Sequence, residues 1–179
     1  MNKKNKSITY VVTAAVIAAM YAALTILQNV ILPGTASMAV QVRVSEALNV
    51  LTMLTPAAIP GLTIGCVVAN LTAVEFLPLD MIIGSLATLL AGILMYKCRN
   101  IRFKKLPLLS CLMPVIFNGI FVGAEIAYFM AQEGTGFFVA FLTNAAFVAL
   151  GELISVYVLG LPLFKALENR KIFRLNLNS

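Results

Sequence analysis

An all-α integral membrane protein with six transmembrane helices is the fold this sequence predicts, and three observations predict it. Of 179 residues, 61% are hydrophobic and 11% charged, against about 45–50% and about 25% in a soluble domain. So little polar material cannot cover a water-facing surface without large apolar patches, so the bilayer must be the solvent. The apolar residues run continuously, without the alternation of β-barrel strands. Twelve of the 13 Lys and Arg residues gather at three places: Lys3, Lys4 and Lys6; Lys97, Arg99, Arg102, Lys104 and Lys105; and Lys165, Arg170, Lys171 and Arg174.

Turn signals divide the chain between these clusters. The first run, about 8–32, exceeds the ~7–15 apolar residues of a signal peptide and meets the ~20 that a crossing needs, so it is expected to be retained. Pro33-Gly34 ends it. The second run covers about 38–55, and Pro56 and Pro60 bracket the connection to the third, about 61–76. Pro78 and Asp80 mark the next turn. The fourth run, about 81–96, leads into the basic loop 97–105. The fifth covers about 106–131, a Gln132-Glu133-Gly134-Thr135-Gly136 turn follows, and the sixth covers about 137–164 before a short tail, 165–179. All six are expected to form one membrane domain, residues 1–179. Basic clusters stay on the cytoplasmic side. Four crossings separate the first cluster from the second and two separate the second from the third, so both termini and the loop are expected to be cytoplasmic, in a multi-pass protein of the cell membrane.

Several chemistries are excluded at this point. There is no His, and Cys66, Cys98 and Cys111 form no C-x-x-C pair, so no metal site is expected. The sequence has no G-x-x-x-x-G-K-[ST], G-x-S-x-G or H-E-x-x-H, which argues against an ATPase or a hydrolase acting alone. No enzymatic activity and no cofactor are expected. The net charge of +6 flanks apolar segments as membrane anchors do, and does not indicate nucleic acid.

An ionisable side chain at the centre of a bilayer costs ~2.5–3.5 kcal/mol on insertion scales, so each one needs a partner or a purpose. In the second run, Arg43, Glu46 and Asn49 are three residues apart, with Ser45 beside them. They form either a self-neutralising pair or a ligand clamp, Arg43 presenting a planar donor fork and Glu46 an acceptor. In the fifth run, Asn118, Phe121, Glu125 and Tyr128 make a polar–aromatic stripe, with Gly119 and Gly123 allowing close approach. In the sixth, Asn144, Phe147, Gly151, Glu152 and Ser155 fall on roughly one face, Glu152 being the deepest acid. Either stripe can line a pocket or join helices. The first run carries Ala14, Ala18 and Ala22, and also Ala15, Ala19 and Ala23. Small residues at this spacing let helices approach closely in lipid, either within the bundle or against a partner protein.

With these features the chain resembles the substrate-binding S components of energy-coupling factor (ECF) transporters, which have six helices, basic ends and small-residue repeats in helix one. Within that group, Arg43-Val44-Ser45-Glu46-Ala47-Leu48, followed by Pro60-Gly61 and Ala69-Asn70, is similar to the queuosine-precursor transporter family, QueT. The similarity runs over nearly the whole chain and is strongest over 41–80. Many members carry an aromatic before the arginine, where this chain has Val42. The resemblance implies an S-component-like bundle in a bacterial membrane. It implies capture of queuine or a prequeuosine base, both 7-deazaguanines, at the outer face. It also implies docking through helix one onto a transmembrane coupling protein carrying two cytoplasmic ATPases.

A deazaguanine suits these residues. Glu125 or Glu152 can accept its N–H and exocyclic NH₂ together, and Asn118, Asn144 or Arg43 can donate to its carbonyl. Phe121, Tyr128 or Phe147 can stack on its ring, and Glu46 can stabilise an aminomethyl cation. Three alternatives stay open: an S component for another vitamin, a stand-alone nucleobase carrier, and an intramembrane enzyme using Glu125 and Glu152 as an acid–base pair.

Overall fold

Long apolar runs in lipid must satisfy their own backbone groups, and helices do so within one segment. The structure, a computed structural model, describes residues 3–32, 42–72, 78–132, 134, 136–168 and 170. In order, the elements are α1 (Lys3–Ile31), a 3₁₀ helix (Val44–Met53), α2 (Ala58–Leu71), α3 (Pro78–Cys98), α4 (Leu108–Gln132), α5 (Phe137–Leu153), a π-helical stretch (Ile154–Gly160) and α6 (Leu161–Glu168). The last three form one continuous rod.

Among the described residues, four stretches are long and apolar enough to cross a membrane: Asn5–Ile31, Pro78–Cys98, Leu108–Ala131 and Phe137–Glu168. The second and third of the six expected crossings come out shorter. The 3₁₀ helix has 10 residues, or ~20 Å at ~2.0 Å per residue. Helix α2 has 14 residues, or ~21 Å at ~1.5 Å per residue. Neither matches the ~30 Å of a hydrocarbon core by itself. Residues 33–41 and 73–77, Glu75 among them, lie outside the described residues.

Contacts give the direction of each pass. Glycines 61 and 65 of α2 meet Ala14 and Ala18 of α1 in ascending order, so α1 and α2 run parallel. The 3₁₀ helix runs antiparallel to α1, because Tyr21 reaches Glu46, Thr25 reaches Ser45 and Gln28 reaches the backbone of Val42 and Val44. Asn70 donates to the Asp80 carbonyl (3.0 Å) while Gly84 lies beside Asn70 and Cys66, so α3 is antiparallel to α2. Helices α4 and α5 are antiparallel, with Asn118 paired to Glu152 and Gly123 against Ala145. From α1 through the 3₁₀ helix and α2 to α3, and again from α4 to α5, the chain direction therefore alternates.

Two local departures from α geometry have sequence causes. Pro162 has no N–H for the Val158 carbonyl, and its ring would crowd that carbonyl in a regular helix; the wider π turn ends just ahead of it. Gly160 in that turn sits so close to the 3₁₀ helix that a Cβ would lie 2.8 Å from Val50 Cγ1 and 3.0 Å from the Ala47 carbonyl. In the basic loop, Phe103 and Leu106 exchange backbone hydrogen bonds of 2.9 Å, and Lys104 and Lys105 between them adopt φ of 48° and 69°, a tight hairpin turn with both central residues left-handed. Arg102 pairs with Glu168, which places the basic loop and the end of α6 at the same end of the bundle.

Candidate functional site

The site begins on α1, where Tyr21, Thr25 and Gln28 follow one another at four and three residues and share one face. All three are buried. They fasten the 3₁₀ helix: the Tyr21 hydroxyl donates to Glu46 Oε1, the Thr25 hydroxyl to Ser45 Oγ (2.7 Å), and Gln28 Nε2 to the Val42 carbonyl (2.6 Å). Gln28 Oε1 in turn accepts from the Val44 amide (2.8 Å).

A 3₁₀ helix has ~3.0 residues per turn, so positions three apart stack in a straight column instead of drifting around an α-helix. Glu46, Asn49 and Thr52 form that column. Asn49 Nδ2 donates to Glu46 Oε2 (2.6 Å), and the Thr52 hydroxyl donates to the Asn49 carbonyl (2.7 Å). Arg43 stands at its head. Among the described residues it makes no ion pair, and its buried Nε has no hydrogen-bond partner.

From the opposite side come α4 and α5. Gly119 and Gly123 let α4 approach α5 until a Cβ on Gly123 would stand 2.6 Å from Ala145 Cα. This contact brings Asn118 Nδ2 to 2.6 Å from Glu152 Oε1. Glu152 is 5% exposed, and its Oε2 has no hydrogen-bond partner among the described residues.

Between these groups lies a cavity of about 310 Å³ counting its open mouth, lined by Arg43, Glu46, Cys66, Gly84, Thr88, Asn118, Val122, Val148 and Glu152. The room inside it for a water-sized sphere is about 20 Å³, enough for about one water and far below the ~300–1,000 Å³ of small-molecule sites, so a larger guest enters only as the walls part. Five elements contribute. Polar groups converge from the 3₁₀ helix, α4 and α5, while Val122 and Val148 supply apolar wall. Two carboxylates and one guanidinium face the space, an arrangement suited to a neutral or cationic guest and unsuited to an anion.

The residues singled out from sequence separate into three groups. Arg43, Glu46, Asn118 and Glu152 come together around the cavity. Ser45 and Asn49 stand immediately behind it, bonded to Thr25 and Glu46. The remainder point elsewhere: Phe121 stacks on Phe117 at 6.1 Å, Glu125 lies beside Asp80, and Tyr128 is 55% exposed. Asn144 donates to the Ala140 carbonyl (2.7 Å), and neither it nor Phe147 is among the lining residues. Among the described residues, no aromatic ring lines the cavity. Tyr21, Thr25, Gln28, Cys66, Gly84 and Thr88 were missed by the sequence reading. The first three carry the same polar 4-and-3 spacing that revealed the other faces, overprinted by the alanine repeat. Cys66 and Gly84 carry no such signal.

The alanines of α1 also divide. Ala14 and Ala18 lie against Gly61 and Gly65 of α2, where a Cβ would stand 2.7 Å and 2.9 Å from their carbonyls, and Ala22 is buried. Ala15, Ala19 and Ala23 face outward.

Among known proteins, the sequence model of a family described as QueT transporter matches residues 11–169. A curated protein, "Queuosine precursor transporter QueT" of Lactococcus lactis subsp. cremoris (strain MG1363), is 36% identical over 107 residues, 56% of this chain and 57% of that protein. The match thus spans little more than half the length of that relative. No solved structure matches.

Proposed function

The chain belongs to the QueT transporter family, and from that premise we propose that it captures a queuosine precursor, a 7-deazaguanine such as queuine or a prequeuosine base, in the cavity beneath Arg43. The observation that carries this reading is the cavity itself: a donor fork, an amide and a buried carboxylate with an unpartnered oxygen converge on a space with valine walls. A deazaguanine matches that set, with adjacent N–H donors on one edge and a carbonyl beside them. With the walls parted, its flat ring lies against Val122 and Val148 in place of the aromatic stack expected from sequence. A prequeuosine base adds an aminomethyl cation, which suits two carboxylates facing one guanidinium.

The rest of the reading follows from charge and exposure. The chain is one membrane domain that crosses six times, with both termini and the 97–105 loop cytoplasmic, because the basic clusters prefer that side. The 3₁₀ helix and α2 complete two crossings together with their flanking residues. The chain acts as the S component of an ECF importer and performs no chemistry on its ligand. Energy comes from a transmembrane coupling protein with two cytoplasmic ATPases, since the chain has no phosphate loop of its own. Docking uses the outward row of α1, Ala15, Ala19 and Ala23, because the inward row lies against α2.

Calorimetric titration of the purified chain with queuine, a prequeuosine base and guanine tests the capture reading. We expect nanomolar to low-micromolar binding of a deazaguanine and much weaker binding of guanine. A monodisperse sample that binds none of them would overturn the reading and leave the fold standing.

A further inference from the structure

Two buried carboxylates face the cavity, and their surroundings differ. Glu46, 2% exposed, has both oxygens engaged by the protein: Oε1 by the Tyr21 hydroxyl and Oε2 by Asn49 Nδ2 at 2.6 Å. These bonds tie α1 to the 3₁₀ helix and hold the column in register. Glu152, 5% exposed, has one oxygen held by Asn118 at 2.6 Å, while Oε2 is buried with no partner among the described residues. A buried acceptor of this kind normally finds a donor, and here it borders the cavity. Glu125 also carries an unpartnered oxygen, but it stands beside Asp80, away from the cavity lining.

We propose that Glu152 is the specificity-determining carboxylate, reading the ligand by accepting the paired N–H donors of an amino-pyrimidinone edge, and that Glu46 is a positioning residue that holds Arg43 and the column in place. The proposal rests on the capture reading above. A carboxylate offers about four lone-pair sites, so Glu152 Oε1 can keep its bond to Asn118 and still face a second donor beside the one taken by Oε2. The ring N–H and the exocyclic NH₂ lie side by side, as the two oxygens do. Asn118 fixes the carboxylate's rotation, and Arg43 presents its fork for the ring carbonyl. An aminomethyl group then extends toward the open mouth, away from Glu152. With the ring N–H on Oε1 beside Asn118 and the exocyclic amine on Oε2, selectivity for the amine follows, because a ring without it leaves Oε2 unpaired in a buried site, the situation in which recognition discriminates most strongly.

The test is a comparison of two probes: a prequeuosine base and the matching 7-deazahypoxanthine, which lacks the exocyclic amine. Calorimetry on the full chain should show wild type preferring the amino form by tenfold or more. Glu152→Gln should shrink that preference to about threefold or less, since its amide offers one acceptor and one opposing donor. Glu46→Gln should weaken both probes by the same factor and leave their ratio unaltered. A Glu152→Gln protein that keeps the full preference would overturn the assignment, as would a Glu46→Gln protein that loses it. If Glu152→Gln does not fold, wild type decides alone: equal affinity for the two probes, or tolerance of methylation at the ring N–H, overturns the proposal. Wild type that binds neither probe overturns the capture reading with it, which separates the two failures.

Discussion

The two alanine rows of α1 have the same composition and spacing but opposite surroundings. Ala14, Ala18 and Ala22 are turned inward, the first two so close to α2 that glycine is needed at 61 and 65. Ala15, Ala19 and Ala23, one residue along, are exposed. A small-residue repeat signals that a backbone can come close. It does not say whose backbone. The partner's residues decide, and here the inner partner is within the chain: Gly61 and Gly65 make a matching small-x-x-x-small row on α2. The outer row is left for something else, and its surroundings of Val12, Val16 and Leu27 are also exposed.

Substitutions at the two rows can break or sharpen this contrast. The largest effect is expected at Gly65, where a Cβ would stand 2.8 Å from Tyr21 Cβ and 2.9 Å from the Ala18 carbonyl. Gly65→Leu should force α1 and α2 apart and cost about 3 kcal/mol, the upper end of ordinary overpacking, with ligand binding lost as Tyr21 moves. Thermal unfolding in detergent reads the first effect and calorimetry the second. Next comes Tyr21→Phe, which removes the donor from Glu46 Oε1 without opening a cavity. Its cost should be about 1–3 kcal/mol, the price of a buried acceptor left unpaired, and ligand affinity should fall because the column loses its anchor. Ala19→Leu should have the smallest effect on stability, within about 0.5 kcal/mol as for surface sites, and leave affinity unchanged. Cellular uptake of labelled precursor should nonetheless disappear. If Ala19→Leu destabilised the chain as much as Gly65→Leu, the two rows would not differ. Normal uptake with Ala19→Leu would remove the outer row from docking.

Much of this organisation was legible in the sequence, and what was not has physical reasons. The four long helices could be read because apolar length and basic flanks are properties of single segments. The shorter second and third runs were read as well, but the 3₁₀ form of the second was not. Val44 to Met53 contains no Gly or Pro and reads as an ordinary helix. Its 3₁₀ form coincides with long-range contacts, to Tyr21, Thr25 and Gln28 on one side and to Gly160 on the other. Spacing of three put Arg43, Glu46 and Asn49 on one face, and the 3₁₀ geometry stacks positions three apart more closely than an α-helix would.

The stripe on α4 was less legible. Asn118 and Val122 border the cavity, but three residues further along, at Glu125, the same stripe has turned to Asp80 of α3. By Tyr128 it faces outward. Spacing along one helix fixes which residues share a face. It does not fix which neighbour that face meets at each level, because this depends on how the helices lean. Sequence alone also could not separate Glu46 from Glu152, since the donors that distinguish them come from α1 and α4, 25 and 34 residues away.

The most direct test of the account is an experimental structure of the chain with a prequeuosine base bound. The account predicts the ring between Val122 and Val148, with its amino edge on Glu152 and its carbonyl toward Arg43. A ligand bound instead at the end of the bundle that carries Glu125 and Tyr128 would contradict it.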